Sequence, residues 1–212
     1  MLSKRFRQRK RFKERDNESL LDIEKNDYMS DSSISVIMPT INRGSLESAI
    51  KSVHEQLSPE DQLIVVGDGP CPDAYSICDK YKKTKYFEIP KFGHWGAACR
   101  DFGIKMAEKA FIWFLDDDDT ALEGAVDAIK SSIIPGTDKM YFFKMRNPDI
   151  WKEKNLVVGN ISSQTVVVPN RENLPKWGLE YAGDFTFAKE CSKFLEVVWV
   201  DKLVAHRNRF IG

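Results

Sequence analysis

Phe111-Ile112-Trp113-Phe114-Leu115-Asp116-Asp117-Asp118-Asp119 decides how this chain is built. Five consecutive apolar residues read as a buried strand, and the strand delivers four carboxylates to one point. Adjacent carboxylates repel one another and resist desolvation, so a cluster in this position makes sense with a hard divalent cation, Mg²⁺ or Mn²⁺, among them. The competing reading is a solvated acidic turn that caps a helix starting at Thr120, because Asp and Thr are good N-caps and acids suit a helix N-terminus.

Upstream of this strand the pattern alternates between strand and helix. Ile34 to Met38 is a short apolar strand, Pro39 to Gly44 a loop, and Ser45 to Leu57 has helical spacing through Leu46, Ala49, Ile50 and Val53. Leu63 to Val66 is a second strand running into Gly67-Asp68-Gly69-Pro70. Ala74 to Tyr81 is expected as a helix and Tyr86 to Ile89 as a third strand. Gly93 to Gly96 is expected to open a helix reaching about Lys109, with Trp95, Ala98, Phe102 and Met106 on one face. Repeated strand, loop and helix units predict an α/β fold with a mostly parallel central sheet flanked by helices. Downstream, Met140 to Met145, Val166 to Val168 and Val197 to Val204 read as further strands, with a loop or hairpin over Asn147 to Gln164.

Composition narrows the class. A chain of 212 residues with 42% hydrophobic and 11% aromatic residues has enough apolar material for one packed domain. No apolar run reaches membrane-spanning length and no signal peptide is recognisable, so a cytoplasmic protein is expected. Cys71, Cys78, Cys99 and Cys191 show no CxxC spacing and read as reduced, buried thiols. The formal net charge of zero hides an uneven distribution: residues 1 to 15 hold eight Lys and Arg against Glu14 alone. Residues 1–32 therefore read as a basic tail, a short helix and a linker, with the folded domain beginning at Ser33. Tails of this kind are usually solvated extensions, and an anionic partner such as nucleic acid or a membrane surface is the alternative.

In open α/β sheets ligands bind at the carboxyl ends of the strands, so the loops after the first, second and fourth strands should converge. They carry Thr40, Asn42 and Arg43, then Asp68, then Asp116 to Asp119, with Arg100 projecting from the preceding helix. Hydrogen-bonding groups, a carboxylate, arginines and a cation cage suit a nucleoside diphosphate bound with a metal.

Ile34-Ser-Val-Ile-Met-Pro-Thr-Ile-Asn-Arg43, Leu63-Ile-Val-Val-Gly-Asp-Gly69, Gly96-Ala-Ala-Cys-Arg-Asp-Phe-Gly-Ile104 and Phe114-Leu-Asp-Asp-Asp-Asp119 resemble, in order and spacing, the blocks of inverting family-two glycosyltransferases with the GT-A fold. Two positions depart from the pattern: Gly67 stands where another Asp is frequent, and Asp101 where Asn is common. The resemblance implies a nucleotide-binding half over residues 33–130 and an acceptor-side half over 131–212. It places Pro39, Thr40 and Arg43 near the nucleotide and gives Asp68 the imide N–H of uracil, a donor that suits an acceptor-only carboxylate. It directs Arg100 at the diphosphate, where a planar guanidinium binds phosphate in bidentate fashion. Asp116, Asp117 and Asp118 correspond to the DXD-type metal motif. Asp116 and Asp118, on one face of an extended chain, are the metal candidates, and Asp117 is expected at donor ribose or sugar. Asp119 is left as a helix cap or a sugar contact.

In the C-terminal half the resemblance aligns Asp184 with the general base, with Glu180 as its rival, and makes His206 a metal or diphosphate candidate beside Arg207 and Arg209. The function implied is transfer of a sugar from a UDP-sugar donor to a hydroxyl of a glycan or glycoconjugate, with Mn²⁺ or Mg²⁺ as cofactor. A nucleotidyltransferase and a non-catalytic nucleotide-sugar binding module are the alternatives. The first usually carries a Gly-rich, Lys- or Arg-bearing first loop, which Thr40-Ile-Asn-Arg43 does not resemble.

Overall fold

The computed structural model describes residues 31–146 and 153–208. The basic run and the short helix expected before Ser33 lie outside the described residues, as do Pro148, Trp151 and Arg209. Of the described residues, 32–133, 137–146 and 153–208 make one compact unit, from which 31 and 134–136 stand apart. The sheet and all helices described belong to the larger unit.

Among the described residues eight strands form one sheet: β1 (Ile34–Thr40), β2 (Gln62–Asp68), β3 (Thr84–Ile89), β4 (Phe111–Phe114), β5 (Asp119–Ala121), β6 (Lys139–Arg146), β7 (Val166–Pro169) and β8 (Glu196–Arg207). Their order is β3-β2-β1-β4-β7-β6-β8-β5. The first four are parallel, as expected from the strand and helix alternation. Beyond β4 the sheet is mixed: β7 runs antiparallel to β4 and β6, β8 is parallel to β6, and β5 is antiparallel to β8. β1 and β2 are buried at all their residues, as strands covered on both faces must be.

Among the described residues five α-helices cover the sheet: α1 (Leu46–His54), α2 (Ala74–Cys78), α3 (Ala97–Met106), α4 (Ala125–Lys130) and α5 (Gly183–Cys191). In α1 the buried residues are Leu46, Ala49, Ile50 and Val53, the i, i+3, i+4, i+7 stripe legible in the sequence. Trp113, Phe114, Tyr141, Phe142 and Phe187 are fully enclosed in the main core. Each such side chain stabilises the fold by about 1.5–3 kcal/mol relative to exposure. No helix among the described residues is long and apolar enough to cross a membrane.

The helix expected from Thr120 does not form there. Asp119–Ala121 is instead a short strand whose residues pair with Arg207, His206 and Ala205, and the helix begins only at Ala125 after Gly124 at φ 74°. Partner pairing overrides local capping chemistry, and Asp119 becomes buried rather than a solvated cap. A second difference concerns Trp95. Gly96 is left-handed at φ 77°, so α3 starts after it and Trp95 stands outside the helical face it was expected to share with Ala98, Phe102 and Met106.

Asp61 locks three segments. Its carboxylate accepts hydrogen bonds from Ile34 N–H at 2.9 Å, Ser58 N–H at 2.8 Å and Ser58 Oγ at 2.6 Å, and pairs with Lys130 Nζ at 3.0 Å. Burial pushes its pKa up, but the donors from Ser58, Ile34 and Lys130 outweigh it and leave the group below the ordinary carboxylate range. Removing the carboxylate leaves a buried amide and a part-buried ammonium without their partner. Asp61→Ala should therefore lower the unfolding free energy by about 3 kcal/mol, read by urea denaturation. Because the folded value is depressed, the stabilisation is complete above the unfolded pKa of about 3.9 and is lost as pH falls through the folded value. The variant should lack that part of the wild type's acid-induced loss.

Candidate active site

At the carboxyl ends of β1, β2 and β4 lies a cavity of about 610 Å³. Its walls come from the loop after β1 (Pro39 to Arg43), Asp68, the turn around Gly93 to Gly96, Asp116 to Asp119, the segment before β7 and the loop that enters α5.

The four aspartates divide by direction. Asp117 is 1% exposed and enclosed by the first loop, accepting from Thr40 Oγ1 at 2.7 Å, Ile41 N–H at 3.4 Å and Arg43 at 2.5 Å. Its bonds fasten that loop to the acidic turn. Carboxylate oxygens of Asp116, Asp118 and Asp119 lie within 4.8 Å of one another. Burial, followed by repulsion from Asp116, raises the pKa of Asp118. Asp119 is pushed up to about 8 by burial and by Asp116 and Asp118. Three hard oxygen donors that stabilise one another poorly when left unneutralised fit Mg²⁺ or Mn²⁺. Asp118, about one-third exposed and with Arg43 at 3.5 Å, is the most accessible of the three.

Gln164 holds this group in shape. It lies in a one-turn 3-10 helix, Ser163–Thr165, and its buried side-chain NH₂ donates to Asp116 at 2.7 Å and also to Asp119. Its carbonyl oxygen accepts from the hydroxyls of Ser162 and Ser163, which fixes the orientation of the amide. Its backbone carbonyl accepts from Trp113 Nε1 at 2.8 Å, so β4 and the 3-10 turn are tied together directly beneath the cluster. An amide supplies two donors without cancelling the negative charge that a cation requires.

Arg100, 6% exposed on α3, donates to Asp116 and to the carbonyl of Trp95 at 2.7 Å, and lies 4.8 Å from the centroid of the Trp177 ring. Its buried Nε has no protein partner. Asp101, the residue that departs from the family pattern, accepts from Trp177 N–H at 2.9 Å and so positions the ring over which Arg100 lies. The other departure has a steric reason: a Cβ on Gly67 would sit 2.7 Å from the Tyr86 hydroxyl.

Asp68 accepts from Phe92 N–H at 2.6 Å and Gly93 N–H at 2.8 Å, one on each oxygen. It thereby anchors a strained turn in which Gly93, His94, Trp95 and Gly96 all have positive φ, with His94 at 53° and Trp95 at 56°. For bulky residues this conformation costs on the order of 1–3 kcal/mol each and persists only where the surroundings enforce it. Asp68 holds one end of the turn and Arg100 the other.

Asp184 and Glu180 differ in environment. Asp184, in the first turn of α5, is raised in pKa by burial and accepts from its neighbour Phe185 N–H at 2.7 Å. Glu180 is exposed and its pKa is lowered by the hydrogen bond it accepts from Thr186. A carboxylate with raised proton affinity is the better general base.

Pro39, Thr40, Arg43, Asp68, Arg100, Asp116, Asp117, Asp118, Glu180 and Asp184 all line the cavity, and His206 does not. In β8, Arg207 pairs with Asp119 and His206 with Thr120, so strand alternation turns Arg207 towards the cluster and His206 to the opposite face. His206, expected as a metal candidate, therefore lies outside the acidic group, whose third carboxylate belongs to Asp119.

The profile of "Glycosyl transferase family 2" matches residues 35–141, just over half of the chain. The chain belongs to this family. A GalNAc(5)-diNAcBac-PP-undecaprenol beta-1,3-glucosyltransferase of Campylobacter jejuni is 34% identical over 128 residues, 58% of this chain and 40% of that protein. A poly(ribitol-phosphate) beta-N-acetylglucosaminyltransferase, TarP, of Staphylococcus aureus is 34% identical over 100 residues, 44% of this chain and 31% of that protein. The chain thus spans less than half the length of these curated relatives. Among solved structures, S. aureus TarS residues 1–349 in complex with UDP-GlcNAc superposes with a TM-score of 0.67 at 19% identity, covering 85% of this chain and 59% of that one. At that identity the likeness shows the fold, and the family-two member described here has the GT-A architecture.

Proposed function

We propose that this family-two chain carries out metal-dependent, inverting transfer of a sugar from a UDP-sugar to a hydroxyl of a glycan or glycoconjugate. The observation that carries the reading is the meeting, in one cavity, of the three-carboxylate cluster, the buried Arg100 and the burial-raised Asp184. The relatives supply support of a general kind: the two curated proteins are named for sugar transfers, and TarS has been solved with UDP as well as UDP-GlcNAc. A mannosyltransferase of Pyrobaculum calidifontis with a TM-score of 0.60 was solved with GDP-Man and Mn²⁺, so the fold alone does not select the base.

Each side chain then has a task. Asp116, Asp118 and Asp119 hold the cation, which when bound neutralises charge developing on the departing diphosphate. Arg100, which lines the cavity, sets its positive charge beside the diphosphate. Asp68 and the loop of Pro39, Thr40 and Arg43 line the nucleotide side, and Asp117 keeps that loop in place. Asp184 accepts the proton of the attacking hydroxyl as the new bond forms opposite the leaving group, which inverts the anomeric centre.

The test is a screen of UDP-, dTDP-, GDP- and CMP-sugars with Mn²⁺, following nucleotide release, with calorimetry of the free nucleotides. UDP release and Mn²⁺-dependent UDP binding are the expected results. Absence of binding and hydrolysis across the whole set would remove the reading, and equal affinity for UDP, GDP and CMP would remove the base-selecting role of Asp68.

A further inference from the structure

Trp95 and Tyr181 are 67% and 73% exposed, both line the cavity, and neither has a place in the transfer scheme above. Their rings meet at 5.1 Å between centroids and 82° between planes, a right-angled corner of indole and phenol. The two residues come from separate segments: Trp95 from the turn before α3, and Tyr181 from the loop leading to Asp184.

Three features show that the corner is held rather than incidental. Trp95 has a left-handed backbone that a bulky residue adopts only under constraint, and its carbonyl is tied to Arg100. His94 Nδ1 lies 3.2 Å from the carbonyl of Leu179, which joins the two loops beside the rings. The loop bearing Tyr181 is closed tightly on itself, since a Cβ on Gly183 would lie 2.4 Å from the Gly178 carbonyl oxygen. A chain satisfying stability alone would bury an indole; here backbone strain keeps it in water at the mouth of a polar cavity.

We propose that Trp95 and Tyr181 form a subsite for a pyranose ring of the acceptor, an inference that rests on the transferase reading of the same cavity. A pyranose is amphipathic: its axial C–H groups make an apolar face, and its hydroxyls lie around the rim. The corner offers an aromatic face for the first, while Glu180 and Asp184, on the same loop and the helix turn it enters, offer acceptors for the second. Rings at right angles leave no parallel slot for a flat base, which favours the compact, non-planar ring of a sugar over a nucleobase. The placement also serves the chemistry, because a ring resting beside Asp184 brings its own hydroxyls to the group that takes the proton.

Saturation-transfer NMR on the full chain tests this with methyl β-glucopyranoside, methyl α-mannopyranoside and methyl N-acetyl-β-glucosaminide, each with and without UDP and Mn²⁺. Transfer to axial ring protons of at least one of the three is expected. It should fall at least fivefold in Trp95→Ala and in Tyr181→Ala and be largely kept in Trp95→Phe, while Mn²⁺-dependent UDP affinity stays within twofold. Both truncated side chains are exposed, and a melting curve for each variant checks that the fold is intact. Wild-type binding of UDP without transfer to any pyranoside would overturn the subsite and leave the transferase reading standing. Equal transfer in Trp95→Ala and wild type, loss of UDP affinity in that variant, or saturation of geranyl phosphate in place of the sugars would overturn it as well. Pyranoside transfer in a chain that binds no nucleotide would keep the corner as a sugar site and remove the transferase reading instead.

Discussion

Asp184→Asn is expected to slow sugar transfer by on the order of 10² to 10⁴ while leaving Mn²⁺-dependent UDP affinity unchanged. The amide keeps the size of the side chain and one acceptor oxygen for Phe185 N–H, but it cannot take the proton of an incoming hydroxyl. Burial raises the Asp184 pKa, so the wild-type rate should climb as pH rises through that elevated value, and the variant should lose this limb. Stability should move the other way. A buried carboxylate with a raised pKa destabilises the folded state once pH exceeds its unfolded value, so Asp184→Asn should melt at the same or a higher temperature at neutral pH. Glu180→Gln run beside it should stay within about threefold of wild type, because an exposed carboxylate held low by Thr186 has little affinity for the proton. Wild-type turnover in Asp184→Asn, or a product that retains the donor's anomeric configuration, would refute the assignment.

Asp118→Ala should abolish Mn²⁺ binding and bring UDP affinity in Mn²⁺ down to the level measured in EDTA. Asp118 is the most accessible of the three converging carboxylates, and its loss leaves the cation only Asp116, already paired with Arg100, and Asp119, whose pKa burial and repulsion raise to about 8. In EDTA the variant should be at least as stable as wild type, since burial and repulsion from Asp116 already disfavour the charged form of Asp118. Adding Mn²⁺ should then raise the wild-type melting temperature and leave the variant's unmoved, because a ligand stabilises only the state that binds it. Gln164→Leu should fall between the two, with Mn²⁺ affinity reduced by about 10- to 100-fold, as is usual when a partner of a metal ligand is removed. Equal calorimetric titrations of Mn²⁺ into wild type and Asp118→Ala would exclude the cluster as the cation site.

The parallel half was legible because its signals are repetitive: apolar strands, a helix stripe through Leu46 and Val53, and loops at the strand ends whose residues converge by topology. The expected alternation along an extended chain is not what sets Asp117 apart from Asp116 and Asp118, because the four aspartates make a turn closed by Asp119 N–H on the Asp116 carbonyl at 3.1 Å. What escaped depends on partners far away in sequence. Asp119–Ala121 is too short for a periodic pattern and is a strand only because β8 lies beside it. Whether His206 or Arg207 faces the cluster is a matter of one residue of register, which a run of apolar residues does not specify. Gln164 is a neutral residue with no charge pattern to mark it, and its importance emerges only when Asp116 and Asp119 are within reach of its amide. The exposure of Trp95 follows from a positive φ at a residue that rarely adopts one.

The insertion of β8 between β6 and β5 bears on the order in which the protein assembles. A nascent chain that has reached Arg146 already contains all four aspartates, yet it lacks Gln164 to bridge Asp116 to Asp119 and the strand against which Asp119 is paired. Such long-range pairings form late, after the costs of closing large loops have been met. Until then the carboxylates should be mutually repelling and loosely arranged, with a weaker hold on divalent ions than in the finished fold. Tight cation capture would accordingly report completed folding, and stopped-flow refolding should show Mn²⁺ uptake in the slowest phase rather than at initial collapse.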